Sequence, residues 1–182
     1  MNLELPDGLT ARPAARGDID AVLALVVAAE EHYDGIAEVD RSDIETDFGR
    51  IGFDPSLDGM LVLDGDEAVG WADLYRGRAE ADVRPSHHGR GIGTAIASWT
   101  ERRAREIGSE RVWQTVTDHN TDARALFLAN GYEPSGTAWI LEIAFDEQPP
   151  EHRAPEGISI RAYDPALDET AAHEMIDAGF VE

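Results

Sequence analysis

The sequence contains no cysteine and no lysine. Without cysteine, disulfides, zinc–thiolate sites and cysteine nucleophiles are excluded, and nothing requires an oxidising compartment. We therefore expect a cytoplasmic protein. Without lysine, the phosphate-binding P-loop is excluded as well, because that motif requires Gly-Lys-Ser/Thr.

Positive charge is scarce. Asp and Glu number 37 against 15 basic residues, all of them arginine, which gives a formal net charge of -22. A field of this sign repels nucleic acid and anionic membranes and favours cationic or amine ligands. We expect neither nucleic acid nor membrane as a partner. A halophilic host and a GC-rich genome would explain the same composition, and the sequence does not separate these explanations.

Long hydrophobic runs are also absent. The amino terminus lacks a basic region followed by an apolar stretch, and no later segment approaches the roughly 20 apolar residues that span a bilayer. The length of 182 residues predicts one ordinary domain with a short appendage.

The periodicity of the chain alternates between strand and helix. A strand at Leu9 to Arg12 precedes a helix for which Asp18 is the expected cap, and a second, shorter helix follows. The segment "GMLVLDGDEAVGWADLY" predicts a hairpin that turns at Asp64-Gly65, and "RAEADVRP" predicts a third strand. The later segments predict a long helix, the strand "RVWQTVT", the helix "TDARALFLAN" and strands around "TAWILEIAF". The expected fold class is mixed α/β.

The end of the chain repeats its beginning. "DEQPPEHRAPEG" has the composition of a linker, and the segment after it, like the segment from Leu9, places an arginine-ended strand before an acidic helix. We expect a main domain over residues 1–146, a linker over 147–157, and the opening strand and helix of a second, truncated repeat over 158–182.

Three glycines stand together in "VRPSHHGRGIGTAI" at the start of the long helix. Bare backbone amides at a helix start suit an anion. A dinucleotide-binding Gly-X-Gly-X-X-Gly motif is not completed, because Thr94 occupies the third glycine position.

These residues resemble the acetyl-CoA loop of the Gcn5-related N-acetyltransferase (GNAT) superfamily. Val83-Arg84-Pro85 and the run His88 to Gly93 match the loop, although histidine replaces the usual arginine or glutamine. Asn120, Ala123 and Gly131-Tyr132 match a later family segment. The resemblance covers roughly Leu9 to Phe145 and is greatest to the first domain of tandem acetyltransferases, a group that includes mycothiol synthase.

The resemblance implies a GNAT fold, with a central, mostly antiparallel mixed sheet, flanking helices, and strands that splay at the acetyl-CoA site. Acetyl-CoA is the implied cofactor. The residues expected to contact it are Ala81, Val83, His88, Gly89, Arg90, Gly91, Ile92, Gly93, Thr94, Asn120 and Phe127. Asn120 is equally well placed as a helix cap, and Arg84 is a further candidate for the pyrophosphate.

The catalytic assignment rests on the same resemblance. Glu80 and Asp82 are two apart on a strand and therefore share a face. The resemblance makes Glu80 the first choice for the general base, because a glutamate near this position often has that role in the family, and Asp82 the second. Phe127 occupies the usual position of the tyrosine acid, so Tyr132, His119 or water would serve instead. His32 and Tyr33 are candidate substrate contacts. No metal is assigned, because His87 and His88 lack a third ligand.

The implied function is acetyl transfer from acetyl-CoA to a primary amine of a small molecule or peptide. The alternative is a catalytically inactive acetyl-CoA-binding domain with a regulatory or scaffolding role. Phe127 favours the alternative, and the intact loop beside candidate bases favours the enzyme. A homodimer is left open.

Overall fold

A computed structural model describes residues 4–141, 143–147 and 154–179. The chain forms two compact units, Met1–Ser135 and Gly136–Glu182. The predicted domain boundary, residue 146, lies inside the second unit, and it stays a prediction. Within the described ranges, no helix is long and apolar enough to cross a membrane.

The first unit is a five-stranded sheet flanked by helices, with the strands in the order β1-β2-β3-β4-β5. The first four strands pair antiparallel, and β5 pairs parallel to β4. In chain order the elements are β1 Leu9–Pro13, α1 Ile19–Tyr33, α2 Arg41–Phe48, α3 Pro55–Asp58, β2 Gly59–Asp64, β3 Glu67–Tyr75, β4 Arg78–Val83, α4 Ile92–Glu106, β5 Trp113–Gln114 and α5 Thr121–Ala129.

The two faces of the sheet bury different clusters, because side chains alternate along each strand. On one face, Leu61 and Trp71 pack with residues of α1 and α2, among them the fully buried Leu25. On the other face, Met60 and Val62 pack against α4. The sheet is therefore the middle layer between the α1–α2 pair and α4.

The β4 and β5 strands separate soon after they meet. Their pairing is confined to Arg78 with Trp113 and Ala79 with Gln114, so the predicted strand "RVWQTVT" contributes two residues to the sheet. The Arg84 amide donates to the Val69 carbonyl at 2.9 Å, which makes Gly70 and Val83 a non-hydrogen-bonded pair. The amides of Ala81 and Val83 consequently point away from β3 and into the gap. The predicted splayed strands are confirmed.

The second unit contains the helix α6, Pro165–Gly179. The strands predicted around "TAWILEIAF" and at Ile158 to Arg161 are wrong for the residues described there, because no neighbouring strand pairs with them. Glu142 lies outside the described residues.

The start of α6 repeats a side-chain arrangement found at the start of α1. Arg12 binds both carboxylate oxygens of Asp18 at 2.6 and 2.7 Å, and the same carboxylate accepts the amide of Ala15. Arg161 binds both oxygens of Asp168 in the same way, and this carboxylate accepts the amide of Asp164. The predicted internal similarity therefore extends to local geometry.

Candidate active site

The glycine loop ends at an open helix start. Gly91 is the residue before α4, with a φ of 82°, and no side chain caps the helix there. The first intrahelical bond runs from the Ala95 amide to the Gly91 carbonyl, so the amides of Ile92, Gly93 and Thr94 have no acceptor within the helix. An anion fits this position, because the helix dipole adds partial positive charge.

Arg84 and Arg90, the two arginines predicted to contact the cofactor near the loop, each bind a neighbouring carboxylate. Asp64 accepts from Arg90 at 3.0 Å and lies 3.3 Å from the ring of His87. These contacts hold the pKa of Asp64 below its usual value, and the hydrogen bond from Arg90 has the largest effect. Arg84 is directed to Glu67 and the Ala68 carbonyl. Arg90 therefore remains at the loop, whereas Arg84 is engaged on β3.

A cleft of about 580 Å³ runs from this loop into the gap between β4 and the chain after β5. Among the residues predicted to bind the cofactor, those that line it are Ala81, Val83, His88, Gly89, Gly91, Ile92, Gly93, Thr94, Asn120 and Phe127. Arg90 does not line it. Gly93 packs closely on α5, because a Cβ atom there would lie 3.3 Å from Leu126.

Asp82 lines the cleft and Glu80 does not. Burial raises the pKa of Asp82 to about 7, and the negative charges of Glu30 and Glu80 make smaller contributions to the increase. A carboxylate of that pKa is matched to proton transfer near neutral pH. Asp82, the second choice for the general base, is thus better placed in the cleft than Glu80, the first choice.

Glu80 belongs to a separate charged group beside the cleft. It lies 3.5 Å from Arg78 and 3.9 Å from Arg50, which also lies 3.4 Å from Asp73. Asp73, across the strand pair from Glu80, is 2% exposed, and its Oδ1 has no hydrogen-bond partner in the part of the chain that the structure describes. Burial, followed by the charge of Glu80, raises the pKa of Asp73 to about 7.

The end of α1 meets the loop at His88. Nε2 of His88 donates to the Val83 carbonyl at 2.9 Å, and Nδ1 of His88 lies 3.4 Å from the Tyr33 hydroxyl. His32 and Tyr33 line a second cavity of about 300 Å³, together with His88 and the segment 119–122. Both candidate substrate residues therefore line the second cavity, which adjoins the cleft.

The later motif supplies a cap and an apolar wall. The Asn120 side chain accepts the Ala123 amide at 3.0 Å, so its capping role is observed, and it also faces the cleft. Phe127 lines the cleft, with its ring 4.9 Å from that of Tyr132. The Tyr132 hydroxyl is buried without a partner among the described residues. Burial and the charge of Glu101 raise its pKa to about 12, and Tyr132 lines neither cavity.

The sequence reasoning did not single out Asp34 or Asp122. Asp34 accepts from Thr117 at 2.9 Å and lies 3.0 Å from the His119 ring, and Asp122 stands in the first turn of α5. Both line the cleft. Asp34 directly follows His32 and Tyr33, which the sequence did indicate, but Asp122 carried no signal beyond an acidic first turn.

This arrangement, with splayed strands and an open helix start below them, defines a fold that binds an anionic cofactor at the edge of its sheet. The sequence model described as the Acetyltransferase (GNAT) family matches residues 26–132. The chain belongs to this family, as the sequence analysis predicted.

Curated relatives agree with the family. The chain is 31% identical over 173 residues to a mycothiol acetyltransferase of Streptomyces coelicolor, a match that covers 84% of this chain and 50% of the relative. It is 27% identical over 135 residues to an aminoalkylphosphonate N-acetyltransferase of Salmonella typhimurium, covering 68% of this chain and 84% of that protein. The chain spans about half the length of the mycothiol acetyltransferases that it matches.

Solved structures agree with the fold. A GCN5-related N-acetyltransferase from Sphaerobacter thermophilus superimposes with a TM-score of 0.77 and 27% identity, covering 97% of this chain and 59% of the other. A putative acetyltransferase from Salmonella typhimurium, solved with its cofactor acetyl-CoA, superimposes with a TM-score of 0.58 at 19% identity, covering 71% of this chain and 82% of the other. The predicted GNAT fold is confirmed.

Proposed function

We propose that the chain transfers an acetyl group from acetyl-CoA to a primary amine of a small molecule or peptide. The observation that carries this proposal is one cleft that has the start of α4, with its free amides, at one end and Asp82 within it. The family of the chain and the acetyltransferase names of its relatives support the same reaction.

The donor would bind along the gap between the strands. The free amides at the start of α4 suit its pyrophosphate, because they present hydrogen bonds and the positive end of the helix dipole. The amides of Ala81 and Val83 point into the gap and would bind the pantetheine arm or the thioester carbonyl. A donor aimed at that oxygen would stabilise the charge that develops there during acyl transfer.

Asp82 would act as the general base. It removes a proton from the ammonium of the acceptor, and the neutral nitrogen then bonds to the thioester carbon. The nitrogen gives up a second proton to water as the carbon–sulfur bond breaks, and the thiolate of CoA leaves and takes up a proton. Phe127 has no proton to give and Tyr132 lies outside the cleft, so we assign this last proton to water.

The alternative is a domain that binds acetyl-CoA without turning it over. Phe127 in place of a proton donor supports this alternative. Asp82 in the cleft, with a pKa raised to about 7, supports catalysis.

Calorimetry and a turnover assay separate these functions. Acetyl-CoA, free CoA and NAD would be titrated into the protein at low and at molar salt, and thiol release would then be followed with a panel of amines. Binding of the CoA compounds with amine-dependent thiol release supports the enzyme. Binding without release supports the regulatory domain, and no binding of either CoA compound refutes both.

We also propose that residues 158–182 open a second unit of the same kind. The paired contacts Arg12–Asp18 and Arg161–Asp168 support this reading, because each joins an arginine several residues before a helix to an aspartate at the start of that helix. The length of the tandem relatives supports it as well.

A further inference from the structure

Negatively charged side chains line the end of the cleft at which the acceptor would bind. The cleft and the second cavity share Tyr33, His88, Asn120 and Asp122. Among the described residues, the carboxylates that line them are Glu30, Asp34, Asp82 and Asp122, and no arginine lines either cavity. One ammonium bound at the reacting position would leave most of this charge unbalanced.

Two of these carboxylates are already engaged with the protein. Glu30 accepts the amides of Glu38 and Val39 through Oε2, and Asp34 accepts Thr117 and contacts His119 through Oδ1. The Oδ2 atom of Asp34 has no hydrogen bond in the described part of the chain. The side chains of Asp82 and Asp122 form no hydrogen bond or ion pair with any described residue.

Three carboxylates elsewhere in the first unit have arginine partners. Asp58 binds Arg103 at 2.8 Å, Asp64 binds Arg90 at 3.0 Å, and Asp18 binds Arg12. Concave walls of low dielectric concentrate the field of charges that lack such partners, and they attract cations. The unpaired carboxylates of the cavities therefore indicate a ligand with more than one positive charge.

We infer that the acceptor is a diamine or polyamine whose second ammonium is bound by Asp34 and Asp122 while the reacting amine lies at Asp82. This inference rests on the proposed function. The cavity geometry supports it, because Asp122 faces both the main cleft, where Asp82 lies, and the second cavity beside His119. Glu30 would add long-range attraction without direct contact.

The test compares α,ω-diamines, from diaminopropane to diaminooctane, with n-alkylamines of matched length. With acetyl-CoA as donor, at least one diamine is expected to exceed its matched monoamine in kcat/KM by about fivefold or more, the usual scale of a partly exposed ion pair. Asp122→Asn and Asp34→Asn should each lower the diamine value about fivefold more than they lower the monoamine value. The retained monoamine turnover shows that the variants fold.

Asp118→Asn is the matched control. Asp118 lies just before α5, four residues from Asp122, and carries the same charge, but it lines neither cavity. If it lowers diamine turnover as much as Asp122→Asn does, the effect belongs to net charge and the inference is overturned. Equal kcat/KM for every diamine and its monoamine overturns it too.

Calorimetric titration of the same amines into the protein with free CoA separates this inference from the proposed function. Diamine binding that is weakened by Asp122→Asn but not by Asp118→Asn supports the inference even if no amine is acetylated, a result that would refute the enzyme alone. Turnover of amines without any diamine preference in binding refutes the inference and leaves the enzyme standing.

Discussion

The hydroxyl of Tyr33 lies 3.4 Å from Nδ1 of His88, and the two rings stack with their centroids 5.8 Å apart. This contact joins the last residue of α1 to the loop that leads into α4. Through its other nitrogen, His88 holds the carbonyl of Val83. The end of α1 and the glycine loop are thus joined to each other at the end of β4, the strand that carries Asp82.

Asp82→Asn is expected to lower kcat by about a hundredfold or more, which is the usual contribution of a general base. Acetyl-CoA affinity should change little, because the side chain is not at the helix start. In the wild type, the rate should rise with pH through about 7, since the base acts only when Asp82 is deprotonated. Steady-state rates from pH 5 to 9 and calorimetry with acetyl-CoA measure these effects.

Glu80→Gln is the matched comparison for that variant. Glu80 is two residues away on the same strand but does not line the cleft. Its neutralisation removes a negative charge that raises the pKa of Asp82, so the pH profile should move to lower pH while the maximal rate is largely kept. A greater loss of kcat in Glu80→Gln than in Asp82→Asn would return the role of base to Glu80.

Gly91→Glu is expected to weaken acetyl-CoA binding by at least about tenfold. The position has a φ of 82°, which costs a side chain about 1–2 kcal/mol, and the new carboxylate would face the pyrophosphate. Gly108→Glu is the control, because Gly108 has a φ of 72° and follows the other end of the same helix. Calorimetric affinities for acetyl-CoA that fall equally in both variants would contradict the loop assignment.

The buried Asp73 should make the protein less stable as pH rises. Its pKa is about 7 in the folded protein and 3.8 in the reference state, so the folded chain holds a proton that the unfolded chain has lost between these values. Its contribution is complete below pH 3.8 and is lost as pH rises through about 7. The loss is at most about 4 kcal/mol, since one pKa unit is worth about 1.4 kcal/mol.

Urea unfolding at pH 5 and pH 8 tests this linkage. Asp73→Asn should reduce the fall in the free energy of unfolding between the two pH values, whereas Asp66→Asn, in the exposed β2–β3 turn, should leave it unchanged. A wild-type protein that is as stable at pH 8 as at pH 5 would show that Arg50 keeps Asp73 ionised.

The sequence predicted the local elements better than their pairing. Asp18 preceded a helix as expected, but its carboxylate binds Arg12 and the Ala15 amide and does not cap that helix. The apolar stretch from Trp139 to Phe145 has strand character, yet Trp139 is 78% exposed and unpaired. Strand propensity describes a half-buried, paired surface, and one sequence does not show whether a partner strand is available.

The sequence predicted those positions of the site that depend on a local feature of the chain, such as a glycine before a helix or a helix cap. Gly91 and Asn120 hold the positions that their motifs indicated. The choice between Glu80 and Asp82 was not predictable, because both share one face of β4 and only packing from Arg50 and α1 distinguishes them. Asp122 was missed for a similar reason, since its neighbours in space come from the end of α1.

Gly70→Ala tests whether packing beneath α4 positions the cofactor loop. A Cβ at Gly70 would lie 2.9 Å from Cγ2 of Ile92, the first residue of α4, and 3.1 Å from Cβ of Val62. Overpacking of this kind costs about 1–3 kcal/mol of stability. The helix start should shift as well, so acetyl-CoA affinity should fall together with the free energy of unfolding.

A double-mutant cycle separates this contact from a general effect of the added methyl group. Ile92→Ala removes the atom that the new Cβ meets, so the double variant should be more stable than the sum of the two single changes predicts. Gly17→Ala is the control, because a Cβ there meets nothing within 4 Å. Additive unfolding free energies, or full acetyl-CoA affinity in Gly70→Ala, would show that the sheet and the helix start adjust independently. The strand below α4 would then have no part in placing the amides that receive the pyrophosphate.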